Sequence, residues 1–236
     1  METGELIIAE NSADLSDQAA ARIAREVRRA VEARGHASLA LAGGSTPRPV
    51  YERLCLLSQA EGLPWERIDF YFGDERCVPP DHPESNFRMA RETLLRGRDQ
   101  ARGRVHRMRA ELADRDEAAR EYEELLPDRL DVLLLGMGSD GHTASLFPGS
   151  AALRERERRV VAVQGPKPPA WRLTITPPVI ESARALIVIA AGQNKAAVLA
   201  RVLEGPFVPE VLPAQLARRG VWIVDRLAAS KLGGGS

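Results

Sequence analysis

Ala185 to Ala191 reads ALIVIAA, apolar at every position. A strand with one wet face alternates apolar and polar residues, so a run without a polar position belongs to a strand covered on both faces, as in a parallel sheet flanked by helices. Glu5 to Ala9, Ala37 to Ala42, Ile68 to Phe72, Val132 to Leu135 and Val221 to Val224 are further apolar runs. Val160 to Val163 and Trp171 to Ile175 are also strand candidates, with Val105 to Met108 as a short one. Helical spacing fills the intervals. Ala19, Ile23, Val27 and Val31 mark a helix capped by Ser12 or Asp14 and ended by Gly35. Pro47 starts a second helix, Ser85 caps a third, and Ala113 to Leu126 forms a charged surface helix. Val198 and Val202 lie on a helix introduced by Gly192 to Lys195, and a short helix ends the chain. The alternation predicts an α/β fold: a mostly parallel, Rossmann-like sheet with helices on both faces.

With 236 residues, 44% of them hydrophobic, the chain can bury a full core as one α/β domain over residues 1–232. Gly233 to Ser236 reads as a flexible tail or linker scar outside the fold. Lysine plus arginine equals aspartate plus glutamate at 33 each, so the overall charge calls for neither nucleic acid nor an anionic membrane. Anion recognition must then be local. Cys55 and Cys77 have no metal-ligand spacing, so neither a disulfide framework nor a metal site is expected. The N-terminus has no basic segment leading into an apolar one and no run approaches bilayer length, so the chain reads as soluble and cytoplasmic.

Ligands of such sheets bind outside the carboxyl ends of the strands, where four loops fall: Gly43 to Pro47, Gly73 to Val78, Gly136 to His142 and Gly192 to Lys195. In the first, backbone N–H groups, the Ser45 and Thr46 hydroxyls and a helix N-terminus can converge on a phosphate. An ordinary turn with a helix cap is the alternative. Arg76 and Lys195 can neutralise the same dianion from two other loops, although an arginine beside Asp74 and Glu75 can equally make a local ion pair.

Gly136-Met137-Gly138-Ser139-Asp140-Gly141 matches G-x-G-x-x-G after a strand, which suggests a dinucleotide. Pro148 and Gly149 interrupt the helix that should follow, and Val160 to Gln164 ends without a ribose-binding acid. Met137 stands where a nucleophile elbow around Ser139 needs glycine. His142 remains, two residues after Asp140, either as a general base or as a histidine hydrogen-bonded within a turn.

Leu41-Ala42-Gly43-Gly44-Ser45-Thr46-Pro47, Gly73-Asp74-Glu75-Arg76, Val78-Pro79, Ser85-Asn86 and Gly136 through His142 to Pro148 closely resemble the 6-phosphogluconolactonase family, in order and over nearly the whole chain. Thr174 to Pro177 and Gly192 to Lys195 agree. The resemblance implies the fold shared with glucosamine-6-phosphate deaminase and ribose-5-phosphate isomerase. It also implies hydrolysis of 6-phospho-D-glucono-1,5-lactone to 6-phosphogluconate in the oxidative pentose phosphate pathway, without metal or cofactor. The partner it implies is a phosphorylated sugar lactone, bound by a monomer or small homo-oligomer. His142 takes the base's place, with Asp140 and Arg76 in the catalytic set. Gly43, Gly44, Ser45, Thr46, Arg76 and Lys195 take the phosphate, and Asp74, Glu75, Asn86, Gly138 and Gly141 complete the site loops. The oxyanion donor is left open between the Gly136 to Gly141 backbone and Arg76. Two alternatives stand beside this reading. One is an amino-sugar deaminase, whose loop carries a glutamate that Ser145-Leu146-Phe147-Pro148 lacks; the other is a non-catalytic sugar-phosphate sensor.

Overall fold

The computed structural model describes residues 4–96 and 105–233. In chain order its strands are β1 (Leu6–Ala9), β2 (Ala37–Leu41), β3 (Ile68–Phe72), β4 (Asp74–Arg76), β5 (Val132–Gly136), β6 (Val160–Gln164), β7 (Trp171–Ile175), β8 (Ala185–Ala190) and β9 (Val221–Asp225). Its α-helices are α1 (Ser12–Arg34), α2 (Pro47–Glu61), α3 (Asn86–Glu92), α4 (Arg115–Leu125), α5 (Pro177–Ser182), α6 (Ala196–Glu204) and α7 (Arg226–Ala229). Six strands make one sheet in the order β1-β9-β8-β5-β2-β3, every pairing parallel. The all-apolar β8 lies inside it, as its sequence requires.

The period of two along each strand divides the core. Leu39 and Leu41, Val132 and Leu134, and Ile187 and Ile189 pack with residues of α1, α2 and α3 on one face. Leu133 and Leu135, Val188 and Ala190, and Trp222 and Val224 pack on the other with α4, α5, α6 and a second sheet. That second sheet is the main departure from the sequence reading. β6 and β7 do not extend the parallel sheet; they form an antiparallel sheet in the order β4-β7-β6. Val160, Leu173 and Ile175 face the core on one side, and Arg172 and Thr174 stand on the opposite side of β7.

Smaller differences have local causes. The first helix is capped by Asn11, whose side chain accepts from the N–H groups of Ala13 and Asp14, rather than by Ser12 or Asp14. Val105 to Met108 supplies a single bridge, Val105 to Phe70, instead of a strand. Ser85 caps α3 as expected, accepting from Arg88 N–H. The N–H of Gly233 donates to Glu204, and residues 234–236 of the expected tail lie outside the described residues. Among the described residues no helix is long and apolar enough to cross a membrane.

Candidate active site

The carboxyl ends of β2, β3, β5 and β8 open on one cavity of about 590 Å³, a volume suited to a small-molecule ligand. Gly43 to Thr46, Asp74, Arg76, Asn86, Gly138, Asp140, His142 and Lys195 all line it. Gly141 and Glu75 do not. Gly141 lies beneath the loop at φ 86°, its carbonyl accepting from Ala214 N–H. Glu75 is buried behind β4, where its carboxylate accepts from the N–H groups of Arg76, Asn86 and Phe87 and from Ser85 Oγ.

His142 is half-buried and its ring lies 4.9 Å, centroid to centroid, from that of Phe147. Its Nδ1 is 2.6 Å from Asp140 Oδ1, which also accepts from the His142 N–H at 3.1 Å. A carboxylate at Nδ1 selects the tautomer with the proton there and leaves Nε2 as the acceptor. Partial burial works against the Asp140 charge, but the His142 charge and the hydrogen bonds from His142 outweigh it, so the carboxyl is held below its ordinary range. Asp140 is thus ionised whenever the imidazole must become cationic.

Three of the loop's amides are spent within it. Gly138 N–H donates to His142 O, Gly141 N–H to Gly138 O, and His142 N–H to Asp140. These cannot also serve an oxyanion. Beyond the histidine, Thr143 Oγ1 donates to Gly136 O, and Ala144 takes φ 47°, in the left-handed region. Ser145 then docks on the small sheet: its N–H donates to Thr174 Oγ1 and its Oγ to Asp74 Oδ2 at 2.5 Å. Asn86 Nδ2 donates to the other oxygen, Asp74 Oδ1, at 3.1 Å. Asp74 is a buried carboxylate at the cavity wall with both oxygens engaged.

In the Gly43 to Thr46 loop, Gly44 adopts φ 101° and the Thr46 hydroxyl is not consumed in capping α2. Pro47 and Pro49 remove two N–H groups from the first turn of that helix. The donors at this loop therefore come from Gly43 to Thr46 and Arg48. Burial lowers the pKa of the half-buried Lys195, and Asp140 partly offsets this. Arg76 does pair locally, but with Glu84 rather than its neighbours, through Nη1 to Oε2 at 3.1 Å.

Two basic cavity residues were absent from the sequence reading, Lys167 and Arg172. Arg172 lies within the strand candidate Trp171 to Ile175, and Lys167 falls outside every element expected from the sequence. The signal lay in pairing: Asp74 is opposite Thr174 and Arg76 opposite Arg172, so one face of the β4–β7 ladder carries all four. Among the described residues no group of three or more His, Cys, Asp or Glu is placed to hold a metal ion.

Residues 10–224 match the model of the glucosamine-6-phosphate isomerases/6-phosphogluconolactonase family. The chain belongs to that family. The glucosamine-6-phosphate isomerase/6-phosphogluconolactonase match extends to curated relatives: a 6-phosphogluconolactonase of Synechocystis sp. is 36% identical, covering 94% of this chain and 95% of its own. Among solved structures of the family, the 6-phosphogluconolactonase from Trypanosoma cruzi superposes with a TM-score of 0.84 at 32% identity, covering 98% of this chain and 97% of that one. A monomeric glucosamine-6-phosphate deaminase shares the fold, with a TM-score of 0.82 at 24% identity over 96% of this chain and 99% of its own.

Proposed function

We propose that this chain hydrolyses 6-phospho-D-glucono-1,5-lactone to 6-phospho-D-gluconate, as a cytoplasmic enzyme of the oxidative pentose phosphate pathway, with residues 1–232 acting as one unit. The observation that carries the mechanism is the His142–Asp140 pair, which leaves Nε2 open in a cavity that also holds an anion loop. Nε2 accepts a proton from water as its oxygen attacks C1. The tetrahedral oxyanion collapses, the C1–O5 bond breaks, and the same proton passes from Nε2 to the departing ring oxygen. Asp140 stabilises the imidazolium between the two transfers.

The substrate phosphate binds the Gly43 to Thr46 loop and Lys195, with Arg76 released from Glu84 as the ligand enters. Against amino-sugar isomerisation, the segment after His142 has no carboxylate: Ser145 is spent on Asp74, and Phe147 covers the imidazole. Cys55 and Cys77, both reduced, suit a reducing compartment. The test is an assay with freshly generated lactone, corrected for spontaneous hydrolysis, beside glucosamine 6-phosphate. Enzyme-dependent lactone loss is expected. Ammonia from the amino sugar would favour the deaminase, and binding without turnover of either would favour a sensor.

A further inference from the structure

Arg172 is 92% buried by surface area, being 8% exposed, and lines the cavity. Its Nη1 is wholly enclosed and has no hydrogen-bond partner. A buried guanidinium nitrogen without an acceptor costs free energy. Its neighbours deepen the cost. The residue across the ladder is Arg76, a like charge, and burial followed by that charge lowers the Arg172 pKa. The nearby carboxylates are already committed: Glu84 pairs with Arg76, and Asp74 accepts from Ser145 and Asn86.

We propose that Arg172 is a ligand-binding residue, its guanidinium taking an anionic oxygen of the sugar-phosphate ligand together with Arg76 across the β4–β7 ladder. This rests on the sugar-phosphate reading of the cavity. Two arginines on paired strands make a planar, multidentate clamp that lysine cannot reproduce. The ligand offers two such groups, its phosphate and the C1 oxygen that becomes an oxyanion and then a carboxylate. Three amides of the histidine loop are spent within it, so a cation can serve the second group as well as the first.

The test compares wild type, Arg172→Gln and Arg172→Lys, measuring binding by calorimetry and the ligand-free Tm. The probes are 6-phosphogluconate, glucitol 6-phosphate, which has only the phosphate, and gluconate, which has only the carboxylate. Arg172→Gln should weaken 6-phosphogluconate about ten- to a hundredfold, the loss of one charge-assisted contact. Its ligand-free Tm should not fall, because the Nη1 it removes has no partner in the fold. Arg172→Lys keeps the charge without the fork and serves if the glutamine variant does not fold. Weakened glucitol 6-phosphate places the arginine on the phosphate; weakened gluconate places it on the C1 oxygen. Binding within twofold of wild type for all three probes overturns the inference. A wild type that binds 6-phosphogluconate yet turns over no lactone would instead defeat the lactonase reading and leave the arginine result standing.

Discussion

Gly138 lies so close to His142 that a Cβ on it would overlap ring atoms Nδ1 and Cε1 and crowd the Asp140 carboxylate. Glycine is required there for close approach. Gly138→Ala must push the imidazole off Asp140, and displacement of a catalytic group by an ångström costs rate by about a hundredfold. The expected result is a fall in kcat of that order with a Tm close to wild type, checked by lactone turnover and thermal unfolding.

His142→Ala removes the proposed proton acceptor outright. Turnover should fall by about 10²–10⁴-fold while 6-phosphogluconate still binds. Asp140→Asn keeps an oxygen for Nδ1 but loses the charge, so it should lower kcat more than it raises KM. Near-normal kcat in the alanine variant would take His142 out of its role.

The reach of the sequence was set by where each residue's signal resides. Apolar runs and glycine-rich loops report their own burial and turns, so the six parallel strands and the four loop positions around His142, Ser45, Arg76 and Lys195 were readable residue by residue. β4 was not: Asp74, Glu75 and Arg76 are all charged, and they become a strand only because β7 pairs with them from a hundred residues away. Arg172 was missed with it. An arginine between Trp171 and Leu173 reads as one polar position of a half-exposed strand until the register places it opposite Arg76. The burial of Glu75 was equally invisible, because its four donors come from the turn at α3 and from its own neighbour.

Gly43 stands against Asn86 in the same way that Gly138 stands against His142. A Cβ there would fall on the Asn86 amide, which holds Asp74 through Nδ2. Gly43→Ala should therefore disturb the anion loop and the Asp74 carboxylate together, raising KM about tenfold or more, the size of one lost polar contact. Asn86→Ala releases Asp74 but leaves the loop backbone free. A loss of affinity in Gly43→Ala no greater than in Asn86→Ala would assign the whole effect to Asp74.

On the far side of the sheet, Tyr122 from α4 closes the end of the edge strand β3. Its hydroxyl accepts from Phe72 N–H at 2.7 Å and donates to Phe72 O at 3.1 Å. Tyr122→Phe leaves both buried backbone groups unpaired, at a cost of about 1–3 kcal/mol. Chemical denaturation should show a lower midpoint with an unchanged m-value, and the lactone KM should stay within twofold.

Glu75 gives the stability a pH dependence with a definite sign. Burial raises its pKa above the ordinary glutamate value, and the donors from Phe87, Asn86, Arg76 and Ser85 offset only part of the rise. Between the ordinary value and the raised one, the folded chain holds a proton on Glu75 that the unfolded chain has released. Stability therefore declines as pH rises through that window, and the penalty is complete once Glu75 ionises in the folded state. Glu75→Gln cannot ionise, so its Tm plotted against pH should lack this component even though the lost acceptor lowers Tm throughout. The difference between wild-type and variant Tm should be largest at the acid end of the window and shrink toward neutral pH. Parallel curves across pH 4 to 8 would mean that Glu75 stays ionised in the fold, held by its donors more strongly than burial opposes it.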